Sequence, residues 1–314
     1  MHLYVPNRCL MAKIPFRAIS GVLLIDKARD ISSNKALQDV RFTYRAKKAG
    51  HTGTLDPFAT GLLPVCFGEA NKYARWLLDA DKTYQFQAII GQHSSTGDTE
   101  GEITVIDSRP QVSEAQLRAA ETAIIGDIEQ IPPKYSAIKV NGQRAYALAR
   151  QGHEVIIPTR RVHVFELSLT LAGNVLTGCT RVSKGTYIRT LVEDIAAQLG
   201  TVAYCQELRR LQIAHLISDD PASPRDMHTV AEIRSLANAT ERDKLLLPMD
   251  LLCQQFPAQA ITGAHWQSLI RGRQTSIDSE QQGMVRLYLD KQFCGLGDIH
   301  DTRLKAFRLL NTGF

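Results

Sequence analysis

The patterned part of the chain opens with Gly21 to Lys27 (GVLLIDK), an apolar run that predicts a buried strand. Ser32 or Ser33 then offers an N-cap, and Ala36, Leu37, Val40 and Tyr44 recur at helical spacing. That helix carries basic residues into a glycine-punctuated loop, Gly50 to Gly61. From Tyr84 to Gly91 the chain alternates, so Tyr84, Phe86, Ala88 and Ile90 share one strand face. Ser113 and Gln116 form a capping-box pattern ahead of a helix built on Leu117, Ala120 and Ile124, which Gly126 can end. Between Ile131 and Thr159 the periodicity fades and the chain turns basic and aromatic, the mark of a functional or disordered stretch. Val162 to Val182 is strand-like again. Thr186 to Gly200 then predicts an amphipathic helix with Ile188, Leu191, Ile195 and Leu199 on one face. Thr229 and Glu232 mark another capped helix. After Pro248 short apolar runs alternate with Gly and Asp, giving a small β-rich domain from about Leu251 to Phe314.

Strands and helices in irregular order, without regular βαβ alternation, argue an α+β fold. A length of 314 residues accommodates two domains. We divide the chain into an extension (1–19), a catalytic unit (20–250, with an insertion at about 131–159) and a C-terminal unit (251–314). In the extension Arg8 and Lys13 interrupt the apolar residues, so it lacks the core of a signal peptide, and Met11 is a plausible alternative start. No apolar run approaches the roughly 18 residues needed to cross a bilayer.

Charge adds a partner class. The net charge is +5, compatible with a polyanion. Its distribution says more: Arg41, Arg45, Lys47 and Lys48 cluster, as do Lys134, Lys139, Arg144 and Arg150. The 6 cysteines are scattered without a C-x-x-C pair, and the 9 histidines include no H-E-x-x-H. Both patterns point to reduced thiols in a cytoplasmic protein and to no metal site. No Gly-Lys dipeptide, G-x-S-x-G elbow or dinucleotide fingerprint occurs. Chemistry here must come from ordinary side chains.

The candidate is Asp56, in GHTGTLDPFATGLLP (residues 50–64). Glycines allow tight turns, and Pro57 biases Asp56 toward extended backbone, presenting its carboxylate from a stiff loop. A plain turn is the competing reading. Context decides between them, because this segment resembles the central motif of the TruB family of tRNA pseudouridine synthases. GVLLIDK resembles the family's N-terminal motif, and Lys82-Thr83-Tyr84 its tyrosine segment. IPPKYSA (131–137) resembles the start of its RNA-gripping insertion, and SKGTYIRT (183–190) with LRRL (208–211) its later motifs. The order matches throughout Gly21 to Leu211. One departure stands out: the family's Pro-x-Gly after Asp-Lys is Ala28-Arg29-Asp30 here.

The resemblance implies a mixed, mostly antiparallel sheet flanked by helices, a C-terminal PUA-like domain, a monomer and no cofactor. It implies that uridine 55, in the TΨC loop of the tRNA T-arm, is flipped out and isomerised, with a tRNA-folding role as a possible second function. Asp56 would be the nucleophile, at C1′ or at C6, ion-paired with Arg189 and thereby kept ionised. Tyr84 would stack on the uracil and take the C5 proton. His51 would fill the vacated space or brace the loop, Tyr187 would support the site, and Leu208 would line its wall. Lys27, Arg45, Lys134, Lys139, Arg144 and Arg150 would grip phosphates. Two rivals are a non-catalytic RNA-binding protein on the same scaffold and a small-molecule lyase or isomerase.

Overall fold

The computed structural model describes residues 15–108, 110–133, 139–140, 143–144, 157–218 and 227–311. The first of these stretches gives β1 (Gly21–Lys27), α1 (Ser33–Tyr44), β2 (Ala49–His51), β3 (Thr60–Phe67), α2 (Arg75–Leu78), β4 (Lys82–Ile90), β5 (Gln92–Ser94) and β6 (Ile103–Val105). Next come α3 (Glu114–Ile124), β7 (Gly126–Gln130), a short β8 (Lys139–Val140) and β9 (Gln143–Arg144), β10 (Arg160–Ala172) and β11 (Val175–Val182). Then follow α4 (Ile188–Gln198), β12 (Ala203–Ile213), β13 (Leu216–Ile217), α5 (Val230–Ser235) and α6 (Ala239–Asp243). The expected α+β class is what the structure has. Its main sheet runs β1-β3-β12-β4-β11-β10-β7, with β2 beside β3 and β13 beside β12. Among the described strands of this sheet every pairing is antiparallel except β12 with β3.

That parallel contact is short, Arg209 opposite Thr60 and Arg210 opposite Gly61. It sits where the chain leaves the Asp56 loop, so β12 holds the loop's exit. Alternation on β4 faces Tyr84, Phe86, Ala88 and Ile90 into a core shared with Leu117 of α3 and Leu191 and Ile195 of α4. Both helices are amphipathic, and burying an apolar stripe is what holds them on the sheet. The predicted helix at Thr186 to Gly200 begins two residues later, at Ile188, and Gly200 follows its C-cap at φ 73°. Ser32 is the cap of α1, accepting from Lys35 N. The capping boxes at Ser113 and Thr229 are both formed.

A second sheet follows, ordered β14 (Ala258–Ala260), β16 (Gly283–Leu289), β17 (Gln292–His300), β18 (Arg303–Leu309) and β15 (Thr275–Ser276), with α7 (Gly263–Ile270) packed on it. It shares a core with the main sheet: Leu296 and Leu310 pack with Leu24, Leu62, Tyr73 and Leu77. Cys66, Cys205, Cys253 and Cys294 are buried and unpaired, and Cys179 is exposed and unpaired. Among the described residues no His, Cys, Asp or Glu group could hold a metal, and no helix is long and apolar enough to cross a membrane.

Candidate active site

The Asp56 loop is fixed from three sides. Ser33, in the first turn of α1, points inward instead of capping: its Oγ accepts from Leu55 N and donates to Leu55 O, both at 2.8 Å. Lys27, at the end of β1, donates from Nζ to the carbonyls of Ala28 (2.9 Å), Ile31 (2.6 Å) and Pro57 (3.0 Å). Arg210 of β12 donates to Leu62 O (2.8 Å) and Gly53 O (3.2 Å). Leu55, Phe58 and Ala59 anchor the loop in the main core. Asp56 itself keeps 31% of its side chain exposed, which leaves the carboxylate an open face.

Lys27 therefore corrects an expectation. It is 0% exposed, and its three donors are used on backbone carbonyls, so it cannot grip a phosphate. Burial pushes its pKa down to about 8, with Asp56 and Asp30 opposing. The departure at Ala28-Arg29-Asp30 is resolved locally. Asp30 takes φ 64°, the left-handed conformation a glycine would adopt freely, and its N–H donates to Pro57 O at 2.9 Å.

Opposite Asp56, α4 delivers Arg189 from its first turn. Gln130 of β7 clamps that entry, accepting from Tyr187 N at 3.1 Å and donating to Tyr187 O at 3.4 Å. The Arg189 side chain is 4% exposed. Its Nε lies 2.9 Å from Asp56 Oδ2, and its Nη1 lies 2.9 Å from Asp98 Oδ2 and 3.1 Å from Thr96 O. A buried guanidinium shared by two carboxylates is held in one orientation by its planar fork. Burial pushes the Asp56 carboxyl above its ordinary 3.8; Arg189 opposes, Asp98 adds to the rise, and the net direction is upward. The expected Arg189–Asp56 ion pair is formed, and it opposes the rise that burial causes without reversing its direction.

Asp56, Tyr84, Tyr187, Leu208 and Arg210 line one cleft of about 210 Å³, together with Leu55, Ile188 and Val182. Its lining is mostly apolar or uncharged, and Asp56, Lys82 and Arg210 are the charged side chains on it. A flat, mostly uncharged ring suits such a site. Tyr187 sits at the rim, with the Arg160 guanidinium 5.4 Å from its ring centroid. Leu208 is both core and cleft wall. His51 is half-buried and accepts from Gly53 N through Nδ1 at 3.4 Å. Burial, and then Arg210, lower its pKa, so the neutral ring that can accept is favoured.

Arg45 caps α1 in the left-handed region at φ 53°. Lys139 and Arg144 stand opposite each other across the β8–β9 hairpin. Lys134 and Arg150 lie outside the described residues. Asp98 and Gln130 were not anticipated. Asp98 lies in a Thr-Gly-Asp turn with no local signature, and its partner is 91 residues away.

Residues 41–188 match the N-terminal domain of the TruB family of pseudouridylate synthases, and residues 189–254 match the C-terminal domain of tRNA pseudouridylate synthase B. The chain belongs to the TruB family. It is 44% identical, over 94% of its length, to the tRNA pseudouridine synthase B of Chromohalobacter salexigens, covering 95% of that protein. With the enzyme of the same name from Neisseria meningitidis serogroup B the identity is 43%, covering 94% and 96% of the two chains. The fold is also that of a crystal structure of a Cbf5–Nop10–Gar1 complex, with a TM-score of 0.66 at 22% identity over 88% of this chain and 78% of the other. As a TruB-family member the chain is a pseudouridine synthase, an isomerase.

Proposed function

We propose that this chain converts uridine 55 in the TΨC loop of tRNA to pseudouridine, with Asp56 as nucleophile on a flipped-out nucleotide. The observation that carries this reading is the chain Asp56–Arg189–Asp98, whose Asp56 faces a cleft that Tyr84 and Leu208 also line. The TruB-family relatives are named for tRNA, which supports the substrate class. The reaction breaks the N1–C1′ bond, turns the uracil and rejoins it through C5. An ionised carboxylate supplies the nucleophile, and Arg189 positions it and shields its charge. The stacked ring of Tyr84 keeps the detached base in the cleft, and its phenolic oxygen receives the C5 proton while the hydroxyl's own proton passes to solvent. His51, by pinning Gly53, braces the loop that presents Asp56, and Tyr187 supports the rim.

A loop uridine must leave its stack to reach this cleft, as bases do in other base-modifying enzymes. Arg45 and the basic insertion (Lys134, Lys139, Arg144, Arg150) supply phosphate contacts, and the C-terminal sheet serves as a PUA-like RNA-binding unit. The enzyme works as a monomer in the cytoplasm, without a cofactor. Asp56→Asn tests the assignment on unmodified tRNA. Binding should stay within about twofold of wild type, with pseudouridine formation lost by a factor of about 10⁴ or more. Turnover retained in that variant overturns the mechanism, and binding without turnover in wild type would point to RNA folding instead.

A further inference from the structure

The C-terminal end of α1 carries a second arrangement that the catalytic cleft does not use. Phe42 is 59% exposed, although a helix of this amphipathic kind would normally turn a phenyl ring inward. Its ring meets Phe16 edge to face, with centroids 6.0 Å apart. The Arg41 guanidinium lies 5.5 Å from the Phe16 centroid and 5.7 Å from the Phe42 centroid, and the Arg45 guanidinium lies 5.7 Å from that of Phe16. Arg41 is locked further by donating to Ala46 O, Gln38 Oε1 and Lys47 O at 3.2, 3.1 and 3.3 Å. All of these acceptors are uncharged. The neighbouring carboxylates are engaged elsewhere: Asp39 with Lys35 and Arg234, Asp243 with Arg17, Glu241 with Lys244, and Glu69 with Lys72. Among the described residues no ion pair joins a carboxylate to Arg41, Arg45, Lys47 or Lys48. Lys47 and Lys48 are exposed at the same turn.

Preoriented arginines, exposed lysines and an open aromatic face make up the chemistry that holds a nucleic-acid strand, phosphates on the cations and a base or sugar on the ring. The geometry ties this surface to the cleft. Ser33 binds the residue next to Asp56, and α1 runs from it for 12 residues, about 18 Å at 1.5 Å per residue. At the roughly 3.4 Å step of a B-form duplex that is about five base steps, and it is more in the shorter-rise A-form stem of an RNA. We propose that Arg41, Phe42, Arg45, Lys47 and Lys48 form a remote docking surface for the backbone of the same RNA whose uridine occupies the Asp56 cleft. The proposal rests on the reading of tRNA as substrate, and adds a contact that acts on affinity and not on the chemical step.

The test is equilibrium binding of unmodified tRNA to the Phe42→Ala, Lys47→Gln, Lys48→Gln triple variant, and to Lys47→Glu, Lys48→Glu, whose changes lie wholly on exposed side chains. Dissociation constants should rise about tenfold or more at about 0.15 M salt, and the log–log salt slope should flatten by about two in the triple variant. Turnover at saturating tRNA should match wild type. A hairpin carrying the target loop on a stem of about three base pairs ends short of the surface and should bind all the proteins alike. Unchanged affinity and salt slope with full tRNA would overturn the proposal. So would an equal loss on the short hairpin together with a fall in turnover, since the substitutions would then be acting at Asp56. Failure of the substrate reading itself would show separately, as wild-type protein that forms no pseudouridine in tRNA.

Discussion

Asp98 acts on Asp56 by two routes, one geometric and one electrostatic. It fixes Arg189 from the far side, and as a like charge it helps to raise the Asp56 pKa. The working form of Asp56 is the carboxylate, so activity falls as pH drops through its raised pKa, above the ordinary 3.8. Asp98→Asn keeps an oxygen to accept from Thr96 and Glu100 but removes the negative charge. The acid limb of the single-turnover rate should therefore move to lower pH, while the plateau falls by about tenfold as Arg189 loses one anchor. A limb that moved upward would sink the Coulombic argument. At this scale the family motifs singled out Asp56, Tyr84 and Leu208, whereas local pattern alone left Asp56 in a turn and Tyr84 on a core-facing strand. Neither exposed Asp98, Gln130 or the inward turn of Ser33. Their partners lie 91, 57 and 22 residues away, and no local pattern records such a distance.

Elements were legible where periodicity was strong: β1, β4, α3 and α4 lie where the apolar pattern placed them. Sheet order was not, because the β12–β3 contact joins two strands far apart in sequence over just two residue pairs. Gly61 makes that contact possible. It sits at φ 99°, and a Cβ there would lie 2.4 Å from Arg210 O and 2.9 Å from Arg210 N. Gly61→Ala should separate β3 from β12 and drag Arg210 off Gly53 O. We expect a loss of about 3 kcal/mol in stability. We also expect a loss of turnover larger than the unfolded fraction explains. Denaturant melts and active-site titration check this; an alanine variant with wild-type stability would show that the strand junction tolerates a side chain.

The whole molecule sets how independent its two sheets can be. The C-terminal unit read from about Leu251 begins inside the core shared by both sheets, where Leu251, Leu252 and Cys253 are buried. Polar contacts reinforce it. Tyr288 donates from its hydroxyl to Asp250 at 2.6 Å, Tyr73 to Arg308 O at 2.9 Å, and Lys72 to Leu309 O at 3.0 Å. A chain stopped at Pro248 would bare Tyr73, Leu77 and Leu62 together, an apolar patch that favours aggregation. Cooperative unfolding of both sheets should follow. The protein carries 2 tryptophans: Trp266 on α7 lies in the core of the C-terminal sheet, and Trp76 on α2 meets Phe256 and Phe307 where the two sheets join. In Trp76→Phe the remaining fluorescence reports the C-terminal sheet, and in Trp266→Phe it reports the junction between the two sheets. Each fluorescence melt should coincide with the far-ultraviolet dichroism melt of the same variant. Tyr288→Phe, made in both backgrounds, should lower both midpoints together by the equivalent of about 1 kcal/mol. Fluorescence midpoints separated from dichroism by more than about 5 °C, a shift of roughly 1 kcal/mol or more, would mean that the shared core does not couple the units. The C-terminal sheet could then swing free of the cleft, and would not be held in fixed register with the RNA bound there.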